Sequence, residues 1–162
     1  MDKNYVDEDP FALFKRAEED VAGVNALLKQ KDVPEEYNYV LICYHATQAA
    51  EKFLKGFIIE NKGLIRKTHN LEYIQNVAEN IDANFSIIKK ECIILNGYTQ
   101  GARYNDSHTI EKDEISNVLN ALNKIYHFEP IAKMRGEYKK KNNYRILPEF
   151  DFFKKRCSTA KN

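Results

Sequence analysis

The sequence predicts an all-α protein, an up-and-down bundle of about five helices. Three observations lead there. Apolar residues recur at three- and four-residue intervals from Phe11 to Ile125. No stretch keeps a two-residue alternation between turn signals, so strands are not expected. Short connections join the amphipathic segments, and short connections make neighbouring helices antiparallel.

The elements follow in order. Asp9-Pro10 is a strong helix start, a capping oxygen followed by proline at the first helical position. Phe11, Phe14, Val21, Val24 and Leu28 then carry a first helix to about Gln30. Pro34 opens a second segment striped by Tyr39, Cys43, Ala46, Ala50, Phe53 and Phe57, with Ile42, Ala49 and Leu54 widening the stripe. A face that wide belongs to a helix buried on several sides. Thr68 reads as the cap of a third helix bearing Leu71, Ile74, Val77 and Ala78. A fourth starts near Asp82 with Phe85, Ile88, Cys92 and Leu95, and a fifth follows Lys112 with Ile115, Val118, Leu122 and Ile125. From Pro130 the pattern weakens, and Lys139-Lys140-Lys141, Asn142-Asn143 and Pro148 are expected to interrupt any helix. Residues 1–130 are therefore expected to form the bundle, and 131–162 a basic, aromatic-containing extension.

A length of 162 residues is enough to bury one core, and 43% hydrophobic with 30% charged residues is ordinary for a globular chain. No run is long enough to span a membrane and no signal segment opens the sequence. The cysteines, Cys43, Cys92 and Cys157, lack metal-ligand spacing; the first two fall at apolar helical positions and read as reduced core thiols. The location expected from this is cytoplasmic. The net charge of +1 hides an asymmetry: residues 1–132 hold fifteen Lys and Arg against twenty-one Asp and Glu, and residues 133–162 hold ten against three. Such segregation suits a tail that meets an anionic partner, or one that folds back on its own acidic body.

The chain has no glycine-rich phosphate loop, no paired Cys-x-x-Cys and no His-Glu-x-x-His. No metal and no cofactor is expected. His127 falls at a helix C-terminus, where a cation offsets the dipole. Within YHATQAAEKFLKGFI, His45, Gln48, Lys52 and Lys55 recur at three and four and share a polar edge beside the apolar stripe. That edge is either simply solvated or faces a groove shared with the fourth helix. In NGYTQGARYNDSH, Gly97 and Gly101 allow close backbone approach or a positive φ. Arg103 and His108 follow, five residues apart. On one continuous helix they would point roughly 140° apart. They converge only if the helix ends between them, as Asn105-Asp106-Ser107 suggests, or if two copies meet. By spacing alone, a surface arginine with a loop histidine and a phosphate-handling site stand as alternatives.

YHATQAAEKFLKGFIIENKG, then THNL, then ARYND resemble the HEPN domain family in order, spacing and helical context, over roughly residues 9–130. The resemblance implies an all-α bundle, usually dimeric, associated with nucleotide binding and often paired with a small nucleotidyltransferase in toxin–antitoxin systems. Other members are metal-independent ribonucleases using an Arg-x(4–6)-His element. Carried over, Arg103 and His108 fill the catalytic positions, with Asn105 and Asp106 as polar neighbours, and Arg103, Tyr104, Asn105, Asp106, His45, Gln48 and Lys52 are the expected nucleotide- or RNA-binding residues. Tyr104 directly after the arginine brings the chain nearer the nucleotidyltransferase-associated branch. The function expected is thus binding of a nucleotide or RNA phosphate by a homodimer, with a nucleotidyltransferase partner. The alternatives are an active endoribonuclease or a non-catalytic protein-interaction module.

Overall fold

The computed structural model describes residues 3–99 and 109–142. Among them are six α-helices: α1 (Pro10–Lys29), α2 (Tyr39–Glu60), α3 (Leu71–Ile81), α4 (Lys89–Asn96), α5 (Lys112–His127) and α6 (Glu129–Asn142). The only pairing of extended backbone among these residues is a single antiparallel bridge between Tyr5 and Arg66.

The start of α1 is as the sequence dictates, with Asp9 Oδ2 accepting from the Ala12 amide at 3.1 Å and Pro10 in the first turn. Leu13, Phe14, Ala17, Val21 and Val24 form its buried face. Helix α2 lies at the centre, with Ile42, Ala46, Ala49, Ala50, Phe53, Leu54 and Ile58 fully buried. The α1–α2 pair is antiparallel: Leu27 meets Asn38, Gly23 meets His45, and Phe14 meets Phe53 and Gly56. Small residues at the seam let the backbones close, and at Gly56 even a Cβ would come within 2.5 Å of the Phe14 ring. Helix α2 ends in a Schellman turn, with the Gly63 amide donating to Ile58 O at 2.8 Å and Lys62 to Ile59 O at 2.9 Å. Lys62 takes the left-handed φ of 60° there.

Several boundaries differ from expectation. Pro34 opens a 3-10 turn, Glu35–Asn38, ahead of α2. The cap of α3 is Asn70, whose Oδ1 accepts from the Tyr73 amide, while Thr68 Oγ1 accepts from the Asn70 amide. Asp82 caps a 3-10 segment, Ala83–Ile88, and only Lys89 begins α4. Gly97 caps α4 at φ −63° and so does not use its freedom to adopt a positive φ.

The larger correction is α6. It runs through Pro130 and the lysine triplet, and the expected boundary at 130/131 falls inside it. Proline is tolerated in a first turn, and lysines in a last turn offset the helix dipole, so neither breaks it. Ile131, Met134 and Tyr138 join the core. Arg135 is 3% exposed, stacked 3.6 Å from the centroid of Tyr126, donating to Tyr126 O at 2.7 Å and lying 3.6 Å from Glu18. The first turns of the basic extension thus fold back on the acidic body. The rest of it, residues 143–162 with Cys157, Phe150, Phe152, Phe153 and Lys154-Lys155-Arg156, lies outside the described residues.

Candidate functional site

The polar edge of α2 faces α1. Gly23 supplies the seat: a Cβ built on it would stand 3.6 Å from the His45 ring. Asp20, one turn earlier on α1, reaches across with both oxygens. Oδ1 lies 2.9 Å from His45 Nδ1, and Oδ2 accepts from Lys52 Nζ. A carboxylate can only accept, so Nδ1 carries the proton and Nε2 is left for another partner. The Asp20 side chain is largely buried, which strengthens both contacts.

Further along the same edge a cleft of about 530 Å³ opens between α1, α2, residues 6–8 and residues 67–69. From α2 it takes Gln48, Glu51, Lys52 and Lys55; from α1, Leu13 and Arg16. Its position follows from the bridge at Tyr5 and Arg66, where Val6 N donates to Ile65 O and Lys67 N to Asn4 O, each at 2.9 Å. This pins the start of the chain beside the segment that leads into α3. At the base of the cleft Glu51, a buried carboxylate, is shared by two cation-forming groups. Lys55 Nζ donates to it at 2.6 Å, and His69 Nδ1 lies 3.0 and 3.2 Å from its two oxygens. His69 is again held through Nδ1, with its side chain 58% exposed. Arg16 pairs with Glu8 at 3.0 Å on the rim.

The site therefore contains two carboxylates, Asp20 and Glu51, each joining one histidine to one lysine. Each carboxylate fixes a ring orientation through Nδ1 and leaves Nε2 for another partner. Lysine and arginine side chains around them match anionic oxygens.

The sequence-predicted residues divide into two groups. His45 and Lys52 are brought together, through Asp20. Gln48 and Lys52 line the cleft, whereas His45 does not. The groove is shared with α1 and the 67–69 segment, not with the fourth helix, because α1 occupies the flank of α2 that carries this edge. Arg103, Tyr104, Asn105, Asp106 and His108 lie outside the described residues. The chain approaching them is anchored: Asn96 Oδ1 accepts from the Leu71 amide at 2.8 Å, and Tyr98 Oη donates to Glu114 at 3.0 Å. Leu71 stands two residues after His69, so the chain leading toward Arg103 leaves α4 beside the segment that ends in His69.

Sequence reasoning missed Asp20, Glu51, Lys67 and the placement of His69. The signal available for two of them was AAEK and THN, carboxylate and histidine within quoted motifs, with no spacing rule to join them. Cys43 and Cys92 do not line the cleft. Both thiols are buried, and burial, with the neighbouring Glu91 carboxylate, pushes the Cys92 thiol up to about 12. Among the described residues no helix is long and apolar enough to cross a membrane.

No curated protein and no solved structure matches the chain. The HEPN domain family matches residues 12–132, from the first turn of α1 to the first turn of α6, and this supports a nucleotide- or RNA-related role. With a match over well more than half of its length, on an all-α bundle, the chain belongs to the HEPN domain family.

Proposed function

We propose that this protein binds a nucleotide or an RNA phosphate, with Arg103 as the principal phosphate contact and the α2 edge of His45, Gln48 and Lys52 as its support. The observation that carries the reading is the α2 edge itself: a histidine oriented by Asp20, a lysine on the same carboxylate, and a glutamine opening on a cleft. A fixed lysine and an arginine fork are the donors that phosphate oxygens require. Tyr104, Asn105 and Asp106 follow Arg103 directly and supply ring and hydrogen-bonding contacts to base and ribose. The working unit is a homodimer, which sets two Arg103 segments about one axis. A nucleotidyltransferase is the protein partner, in a toxin–antitoxin-like pair.

A second reading is favoured by His108, five residues after Arg103. RNA carries its own nucleophile, the 2′-hydroxyl. A histidine to move the proton and an arginine to stabilise the charge growing on the phosphate complete a metal-independent endoribonuclease.

Incubating the purified chain with single-stranded RNA in EDTA, and with ATP, separates these readings. Binding without cleavage supports the first. Products ending in 2′,3′-cyclic phosphate, lost in His108→Ala, support the second. Absence of binding to RNA and to ATP removes both, and leaves a protein-interaction module.

A further inference from the structure

The cleft holds charged groups that are already matched and donors that are not. Glu51 is neutralised by Lys55, Asp20 by Lys52, and Glu8 by Arg16. Among the lining residues, the Nε2 of His69, the ammonium of Lys67 and the side-chain amide of Gln48 have no hydrogen-bond partner among the described residues. Asp7 on the rim is the one lining carboxylate outside those pairs. Val6 and Leu13 supply the apolar part of the lining.

We propose that this cleft is a pocket for a terminal phosphate, the phosphomonoester end of a nucleotide or of an RNA, held by His69 Nε2, Lys67 and Gln48. The proposal rests on the reading that the chain binds phosphate-bearing ligands, and adds which phosphate it selects. A monoester presents three terminal oxygens to three unspent donors. A diester presents two and must continue as a chain on both sides. His69 donates from Nε2 once its ring takes up a second proton, and Glu51 holds the ring for that role through Nδ1. With His69 protonated, the ring and Lys67 together match a dianion, the charge that a monoester approaches at neutral pH. The volume of about 530 Å³ admits the phosphate with its nucleoside.

The experiment is a fluorescence-anisotropy titration of the full chain with one decamer RNA bearing a 5′-phosphate, a 3′-phosphate or neither. One terminal phosphate should tighten binding by on the order of tenfold, the worth of a charge-assisted hydrogen bond, and which end does so identifies the source. His69→Gln and the exposed Lys67→Ala should each bring the ratio toward one. Equal affinities for all three RNAs in the wild-type protein overturn the proposal while leaving phosphate binding in general intact. If none of the three RNAs binds, the RNA arm of that reading fails, and inorganic phosphate titrated against the His69 ring resonances then tests the pocket alone. Shifts at millimolar phosphate that vanish in Lys67→Ala sustain it, and unmoved resonances overturn it.

Discussion

Replacing Gly56 by alanine is expected to destabilise the protein, although alanine is the better helix former by about 1 kcal/mol. The added Cβ would stand 2.5 and 2.6 Å from Phe14 Cδ2 and Cε2. Ordinary carbon contacts lie near ~3.5–4.0 Å, so the ring must retreat by about 1 Å. It has nowhere to go: Phe53 and Tyr138 flank it with centroids at 5.2 and 5.3 Å. Overpacking of this kind costs about 1–3 kcal/mol, and a caged ring belongs at the upper end, leaving a net loss of about 1–2 kcal/mol. Gly136, in α6, is the control. Among the described residues no atom lies within 4 Å of its added Cβ, so Gly136→Ala keeps only the propensity gain and should stabilise by about 0.5–1 kcal/mol. Urea unfolding followed by circular dichroism reads both as midpoint shifts of opposite sign. Phe14→Leu made on top of Gly56→Ala should recover part of the loss, as expected for residues in contact. A Gly56→Ala protein as stable as the wild type would refute the seam described between α1 and α2, and with it the spacing of the cleft those helices line.

Arg135→Met should cost about 3 kcal/mol or more in the same urea experiment, because it leaves Glu18 charged, buried and without its cation. Stability should also fall at high pH. An unfolded thiol loses its proton near 9.0 and folded Cys92 keeps it to about 12, so over that window folding binds the extra proton and weakens by about 1.4 kcal/mol per pH unit. Tyr138, raised by burial and by its bond to Glu60, acts in the same direction at still higher pH. Melts at pH 8.0 and 10.0 that superimpose would contradict this. For the tail, removing residues 133–162 would strip Met134, Arg135 and Tyr138 from the core, so the informative truncation removes 143–162. If that basic segment meets nucleic acid, its loss should weaken RNA binding and flatten the dependence on salt; an unchanged slope excludes it.

The apolar stripes were legible because local periodicity and core burial coincide, as at Ile42, Ala46, Ala49 and Phe53 in α2. Asp9-Pro10 was legible because a cap is a contact between near neighbours in sequence. Helix α6 was not, since its polar lysines and Pro130 conceal only three apolar contacts, which become visible once Phe128 turns the chain back on the bundle. The site shows the same division. His45, Gln48, Lys52 and Lys55 lie on one helix face at readable intervals. Their partners do not: Asp20 is 25 residues from His45, and His69 is 18 from Glu51. Nothing in local spacing selects those carboxylates from the other acidic residues of the chain. Which flank of α2 meets α1 depends on Gly23 and Gly56, whose effect is steric and appears only once the helices pack.

If Arg103 carries phosphate binding, one titration with variants at that position shows it. Single-stranded RNA is titrated at fixed low salt into wild-type protein, Arg103→Ala and Arg103→Lys, all shown to be folded by circular dichroism. Wild-type binding should be saturable and should fall by on the order of tenfold or more in Arg103→Ala. Lysine should give little rescue, because a point charge lacks the bidentate fork. Wild-type affinity in Arg103→Ala would contradict the account.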